Sequence, residues 1–204
     1  MAYSDFTSLA KAKKAFDLEI VEQSDLFATL LPRTSSVHLT ETLRYNLPLA
    51  LASNSEKARS ELLIMPILLE VRKQLNACFS LFSGVEFTVD EQQGLTGYCD
   101  FILSSAAEQL FIAAPVLMLV EAKNENLKGG LGQCVAEMVG AQLFNAREGN
   151  QPAPIYGTVT SGTNWRFLRL VGKTIEIDLT EYYLVQIEQI LAILASGIAC
   201  PEER

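Results

Sequence analysis

From residue 55 onward the apolar positions fall into rhythms that predict secondary structure directly. Ser55 can cap a helix in which Ile64, Ile67, Leu68, Val71 and Leu75 return at steps of three and four, the spacing that places them on one helical face. Pro66 falls on the opposite side, and because it carries no backbone N–H it is expected to kink the helix or divide it in two. Three strand-like segments follow at 79–89, 97–104 and 116–122, the last a near-continuous apolar run of the kind buried on both faces of a sheet. Turn-forming residues at 91–94 and 104–108 join them in hairpin fashion. A second helix is predicted from about 131 to 146, after Gly129-Gly130 and before the stop signals Gly149 and Pro152. A strand at 155–160 comes next, then a hairpin of 163–171 and 174–178 around Gly172-Lys173, and a last amphipathic helix at 183–198. The first 50 residues read as a Lys-rich helix at 9–16, an ambiguous stretch to Leu31 and a turn at 32–36.

Composition narrows the class. A chain of 204 residues with 49% apolar positions, 12 Gly and 7 Pro is globular, without repeats or low-complexity tracts. It can bury roughly 70% of its unfolded surface without a disulfide or metal staple. One domain over 1–204 is expected, with N-terminal helical additions at 1–54, a core at 55–162, and a strand hairpin with the C-terminal helix at 163–204. The net charge of -8 opposes long-range attraction to nucleic acid or anionic membranes, so any nucleic-acid contact must be local. Cys78, Cys99, Cys134 and Cys200 form no CxxC pair and His38 is the single histidine, which argues against a zinc site. The opening residues lack the apolar stretch of a secretory signal, so reduced thiols and a cytoplasmic location are expected. The longest apolar run, 110–120, is interrupted by Pro115 and is short of the ~20 residues a membrane span needs.

Candidate chemistry gathers where the strands end. The buried run that begins at Pro115 closes with Glu121-Ala122-Lys123, and a hydrophobic strand has no packing reason to finish with a carboxylate and an ammonium. Alternation along the strand points Glu121 and Lys123 to the same face, about 6.5 Å apart at Cα. An acid-x-Lys triplet arises about once by chance in such a chain, so its context carries the weight. That context is Asp100, three residues after Gly97 in the preceding strand, and a Glu-bearing helix before both. Two hard oxygen donors with open positions suit Mg²⁺ or Mn²⁺. On the first helix Glu61 borders the buried stripe, about 60° from Ile64, while Glu56 and Glu70 fall toward the solvated side.

The segments SEKARSELLIMPILLEV, GYCDFIL and PVLMLVEAKNENLKGGLGQCVAEMVGAQLFN, spanning about 55–145, resemble the PD-(D/E)XK nuclease superfamily, with Cys99-Asp100 where that pattern has Pro-Asp. The resemblance implies an α/β fold with a restriction-endonuclease-like core in the order helix, three strands, helix, strand, a central mixed β-sheet flanked by helices. It implies a metal-dependent nuclease, acting on DNA, with Glu61, Asp100, Glu121, Lys123 and Gln133 as its catalytic set and Gln142 as a rival to Gln133. Asp100, Glu121, Glu61 and the carbonyl of Ala122 would hold Mg²⁺ or Mn²⁺, and Lys123 would orient or help deprotonate the attacking water. Lys123, Asn124, Lys128, Arg166 and Arg169 are the candidate phosphate contacts. The competing readings are an inactive nuclease-fold protein that binds or scaffolds, and a hydrolase of small phosphoesters.

Other features have plainer expectations. Lys128-Gly129-Gly130-Leu131-Gly132 lacks the ending of a nucleotide P-loop and is expected to be a flexible loop. Lys11, Lys13 and Lys14 read as a solvated face, and His38 has no recognisable catalytic partner. Trp165 and Phe167 are assigned to core packing ahead of base stacking. The last helix turns Leu184, Ile187, Ile190, Leu191 and Leu194 to the core, a homodimer contact being the other use of that face.

Overall fold

A computed structural model describes residues 1–151 and 153–198; Pro152, read above as a helix stop, and Cys200 lie outside the described residues. Strands β1 (Glu19–Gln23), β2 (Ser80–Glu86), β3 (Tyr98–Ser104), β4 (Val116–Ala122), β5 (Ile155–Thr160), β6 (Asn164–Val171), β7 (Thr174–Asp178) and β8 (Tyr182–Tyr183) form one mixed sheet. Its order is β1-β7-β6-β5-β4-β3-β2, with β8 on β6. Strands β2, β3 and β4 form an antiparallel meander, β5 lies parallel to β4, and β1 lies parallel to β7. The fold is therefore mixed α/β, a central mixed sheet flanked by helices.

The helices are α1 (Leu9–Phe16), α2 (Val37–Ser53), α3 (Glu56–Arg59), α4 (Met65–Gln74), α5 (Leu127–Arg147) and α6 (Ile187–Ser196). Two apolar clusters line the sheet. Residues of α2, α4 and α6 pack on Phe101, Leu103, Val120 and Phe167, while α1 and α5 pack on Ile102, Leu119, Val159 and Leu168. Trp165 and Phe167 are buried and stacked on one another, so both serve the core as expected. The segment read as N-terminal helical additions at 1–54 also supplies, in its ambiguous stretch before Leu31, strand β1, which continues the sheet beyond β7. No helix among the described residues is long and apolar enough to cross a membrane. Cys99 and Cys134 are buried free thiols, whereas Cys78 is disulfide-bonded, so the expectation of reduced thiols fails at that position.

The first core helix is divided ahead of Pro66, as expected, yet its helical course is continuous. The chain passes from α3 through a π-helical stretch, Ser60–Ile64, into α4, with Pro66 in the first turn of α4. Widening one turn ahead of the proline relieves the clash between its ring and the carbonyl of Leu62. The N–H that Pro66 cannot offer to that carbonyl is replaced by Asn46 of α2, whose Nδ2 donates to Leu62 O at 2.8 Å. Glu70 overturns its expectation: it is 5% exposed, because α2 and the segment leading into it cover the face opposite the sheet. Its carboxylate accepts from the backbone and hydroxyl of Ser36, at 3.0 and 2.8 Å, tying the N-cap of α2 to α4.

Asn46→Ala is expected to cost about 1–2 kcal/mol in urea unfolding by leaving the Leu62 carbonyl unpaired. The loss should shrink in a Pro66→Ala background, where the helix regains its own donor.

Candidate active site

The site forms where β3 and β4 part. Their ladder ends on the pair Phe101↔Val120, and one residue further the Asp100 carboxylate accepts the Ala122 N–H at 2.7 Å. A side chain thus replaces a ladder bond, which holds Asp100 beside Ala122, the last residue of β4. Glu121 shares the sheet face of Leu119, under α5, and Lys123 follows on the same side, its ammonium ion-paired with the Glu121 carboxylate. The expected pairing of Glu121 with Lys123 is therefore present. Lys123 Nζ also lies 3.4 Å from Gln133 Oε1, and Gln133 Nε2 donates to Glu137 Oε1 at 3.1 Å. Gln142, the rival glutamine, has no part in this chain of contacts.

Helix α5 reaches the site because it is fixed at both ends. Near its C-terminus Asn145 copies a neighbouring strand, accepting from Val116 N and donating to Val116 O, each at 2.7 Å. At its N-terminus the helix starts at Leu127, capped by Asn126. The Lys128 to Gly132 run is the opening of this helix, not a flexible loop. Its glycines permit close approach: a Cβ at Gly130 would meet Val159 Cγ1 at 2.7 Å and Lys123 Cγ at 3.0 Å, and one at Gly132 would meet Phe6 O at 2.3 Å.

Glu61 sits on the π-helical stretch, exposed and ion-paired with Lys57 at 2.8 Å. It nevertheless lines, with Glu56, Ser60, Gly84 and Asp100, a cleft of about 550 Å³ that opens beside the strand ends. Asp100 is the residue the cleft shares with the buried cluster, and Glu121 lies behind it, 1% exposed. Asn124 accepts from Arg59 Nε at 2.8 Å, and the buried Arg59 guanidinium also donates to Ser161 O. Of the other candidate phosphate contacts, Arg166 and Arg169 are ion-paired with Glu181 and Glu176, so neither offers an unpaired charge.

Burial shapes the electrostatics. It pushes the Asp100 carboxyl above its ordinary range, against the pull of the Ala122 N–H and of Lys123. It pushes Glu121 up to about 7, reinforced by the charge of Asp100 and opposed by Lys123. Burial alone would lower Lys123, but Glu121 outweighs it and holds the ammonium above its usual value. Glu137, 0% exposed, is raised well above the carboxyl range by burial and by Glu121.

Glu137 was not singled out from the sequence. The signal was a carboxylate in the α5 stripe of Leu131, Cys134, Val135, Met138 and Ala141, all buried. Among the described residues, the buried side-chain atoms without a hydrogen-bond partner are Glu121 Oε2, Glu137 Oε2 and Tyr3 Oη. The two carboxylates, when ionised, are acceptors facing one another, and a proton held by Glu137 pairs them. Tyr3 lies against Gly140, one turn along α5, and burial there raises its phenol.

Among the described residues no group of three His, Cys, Asp or Glu side chains is gathered as a ready-made cation cage. The donor set still fits a hard divalent cation of the Mg²⁺ type, which is commonly held by one or two carboxylates with water and substrate completing its shell. Asp100 stands beside Glu121 at the cleft, and burial holds both carboxyls above their ordinary range despite the Lys123 ammonium. No protein-family model matches this chain and no curated protein matches it.

In the metal-free protein Glu121 keeps its proton to about pH 7, whereas the unfolded chain releases it near 4.5. The folded state then binds more protons across that interval, so this group's contribution to stability is full below about 4.5 and is lost as pH rises through about 7. Urea unfolding of Glu121→Gln should show a flatter pH dependence over that window than the parent.

Proposed function

We propose that this chain is a metal-dependent nuclease of the PD-(D/E)XK type, cutting phosphodiesters in DNA, on a restriction-endonuclease-like core. The observation that carries the reading is Glu121, a carboxylate buried at a strand end, beside Asp100 and ion-paired with Lys123. The order of the elements supports it: the α3 to α4 helix, the antiparallel meander of β2 to β4, helix α5, and β5 parallel to β4.

Asp100, Glu121 and the carbonyl of Ala122 would hold Mg²⁺ or Mn²⁺, with Glu61 across the cleft as a further carboxylate. When bound, such an ion polarises the scissile phosphate and stabilises charge on the attacking and leaving oxygens. The rest falls to the chain. Asp100 faces the cleft and orients what enters it. Lys123, held by Glu121 and Gln133, presents an ammonium that can orient the attacking water and offset charge on the phosphate. DNA contact must be local, because the net charge is -8 and the nearby arginines of β6 are already paired.

The test is cleavage of supercoiled, linear, single-stranded and branched DNA in Mg²⁺ and Mn²⁺. Cutting is expected from the parent, with Asp100→Ala and Lys123→Ala each slower by about 10²-fold or more. Folded parent protein that cuts none of these substrates would overturn the nuclease assignment and favour an inactive fold that binds a partner.

A further inference from the structure

We infer that Glu137 is a positioning residue of the site, holding Lys123 in place through the amide of Gln133. The inference rests on the reading above in taking Lys123 as the working cation. It begins with donor and acceptor types. Lys123 Nζ can only donate, so it requires the oxygen end of the Gln133 amide, at 3.4 Å. An amide alone has no preference between its two ends. Glu137 supplies one: its Oε1 takes the Gln133 nitrogen at 3.1 Å, and this turns the amide oxygen toward Lys123.

The same arrangement is a poor one for stability. Glu137 is 0% exposed, makes no ion pair with a cation among the described residues, and lies against a second buried carboxyl, Glu121. An apolar side chain of similar size would suit the stripe formed by Cys134, Met138 and Ala141 better, and replacing a buried polar group in this way is commonly neutral or stabilising. A carboxylate placed there contributes by its hydrogen bond to Gln133 and not by packing. Its position one helical turn beyond Gln133 and against Glu121 puts it in reach of both groups that grip the Lys123 ammonium.

The experiment reads Lys123 itself, in the full metal-free chain, by ¹H–¹⁵N correlation of lysine ammonium groups, with Lys123→Ala to assign the signal. The parent should show a protected Lys123 ammonium. Glu137→Met should accelerate its hydrogen exchange by about tenfold, the scale of one hydrogen bond, with a thermal midpoint equal to the parent's or higher. Glu137→Gln, which keeps an acceptor for Gln133, should restore the parent signal. Gln133→Leu should reproduce the Glu137→Met loss. An unprotected Lys123 in the parent, an unchanged signal in Glu137→Met, or loss of the fold in Glu137→Met would each overturn the inference, the last by making Glu137 a residue of core stability. No arm depends on turnover. A protein that cuts no DNA but shows these changes would therefore refute the nuclease assignment and leave the positioning role standing.

Discussion

A carboxylate that is 1% exposed, with another at 0% against it, has to be neutralised by a cation or a proton, and this requirement at Glu121 shapes the molecule around it. The Lys123 ammonium answers one oxygen and the Glu137 proton the other, while Asp100 turns one of its own oxygens to the Ala122 N–H. None of these answers is complete. Lys123 is shared with Gln133, and the charge of Asp100 still adds to burial in raising the affinity of Glu121 for protons. A divalent cation at the mouth of the cluster would replace those protons, since ligand carboxylates bind metal and proton in competition.

Holding this cluster together takes distant parts of the chain. Asn145 fixes α5 along β4 from one end, and Gly130 and Gly132 let its other end approach Lys123, Val159 and the backbone of Phe6. The N-terminal residues close the back of the cluster, with Tyr3 buried against Gly140 and its N–H bonded to Thr96 O at 2.9 Å. On the opposite face, Asn46 and Ser36 of the α2 region fasten the helix that carries Glu61. The first 50 residues, which carry no strong motif, thus support both sides of the cleft.

Sequence reading recovered what depends on local rhythm. The boundaries of α1, β4 and β5 follow the expected ones, and β6 and β7 turn about Gly172 as foreseen, because each rests on periodicity or turn chemistry. The pairing of Glu121 with Lys123 follows from strand alternation alone. Tertiary packing decided the remainder. Glu70 is buried because α2 covers it, which no angle measured on its own helix could reveal. The glycine run at 129–132 is helical because close contacts demand small residues there, and in the sequence this is indistinguishable from a flexible turn. Glu137 escaped notice for a related reason: α5 is buried nearly all round, so its apolar stripe is broad and a carboxylate within it does not stand apart from the polar side.

The central claim is that Asp100 and Glu121 accept a divalent cation in exchange for protons. Calorimetric titration of the folded protein with Mn²⁺ near neutral pH, repeated in buffers of different ionisation enthalpy, tests it most directly. Saturable binding with net proton release, abolished in Asp100→Ala, is the predicted result. Absence of saturable binding, or binding that persists unchanged in Asp100→Ala, would contradict the account.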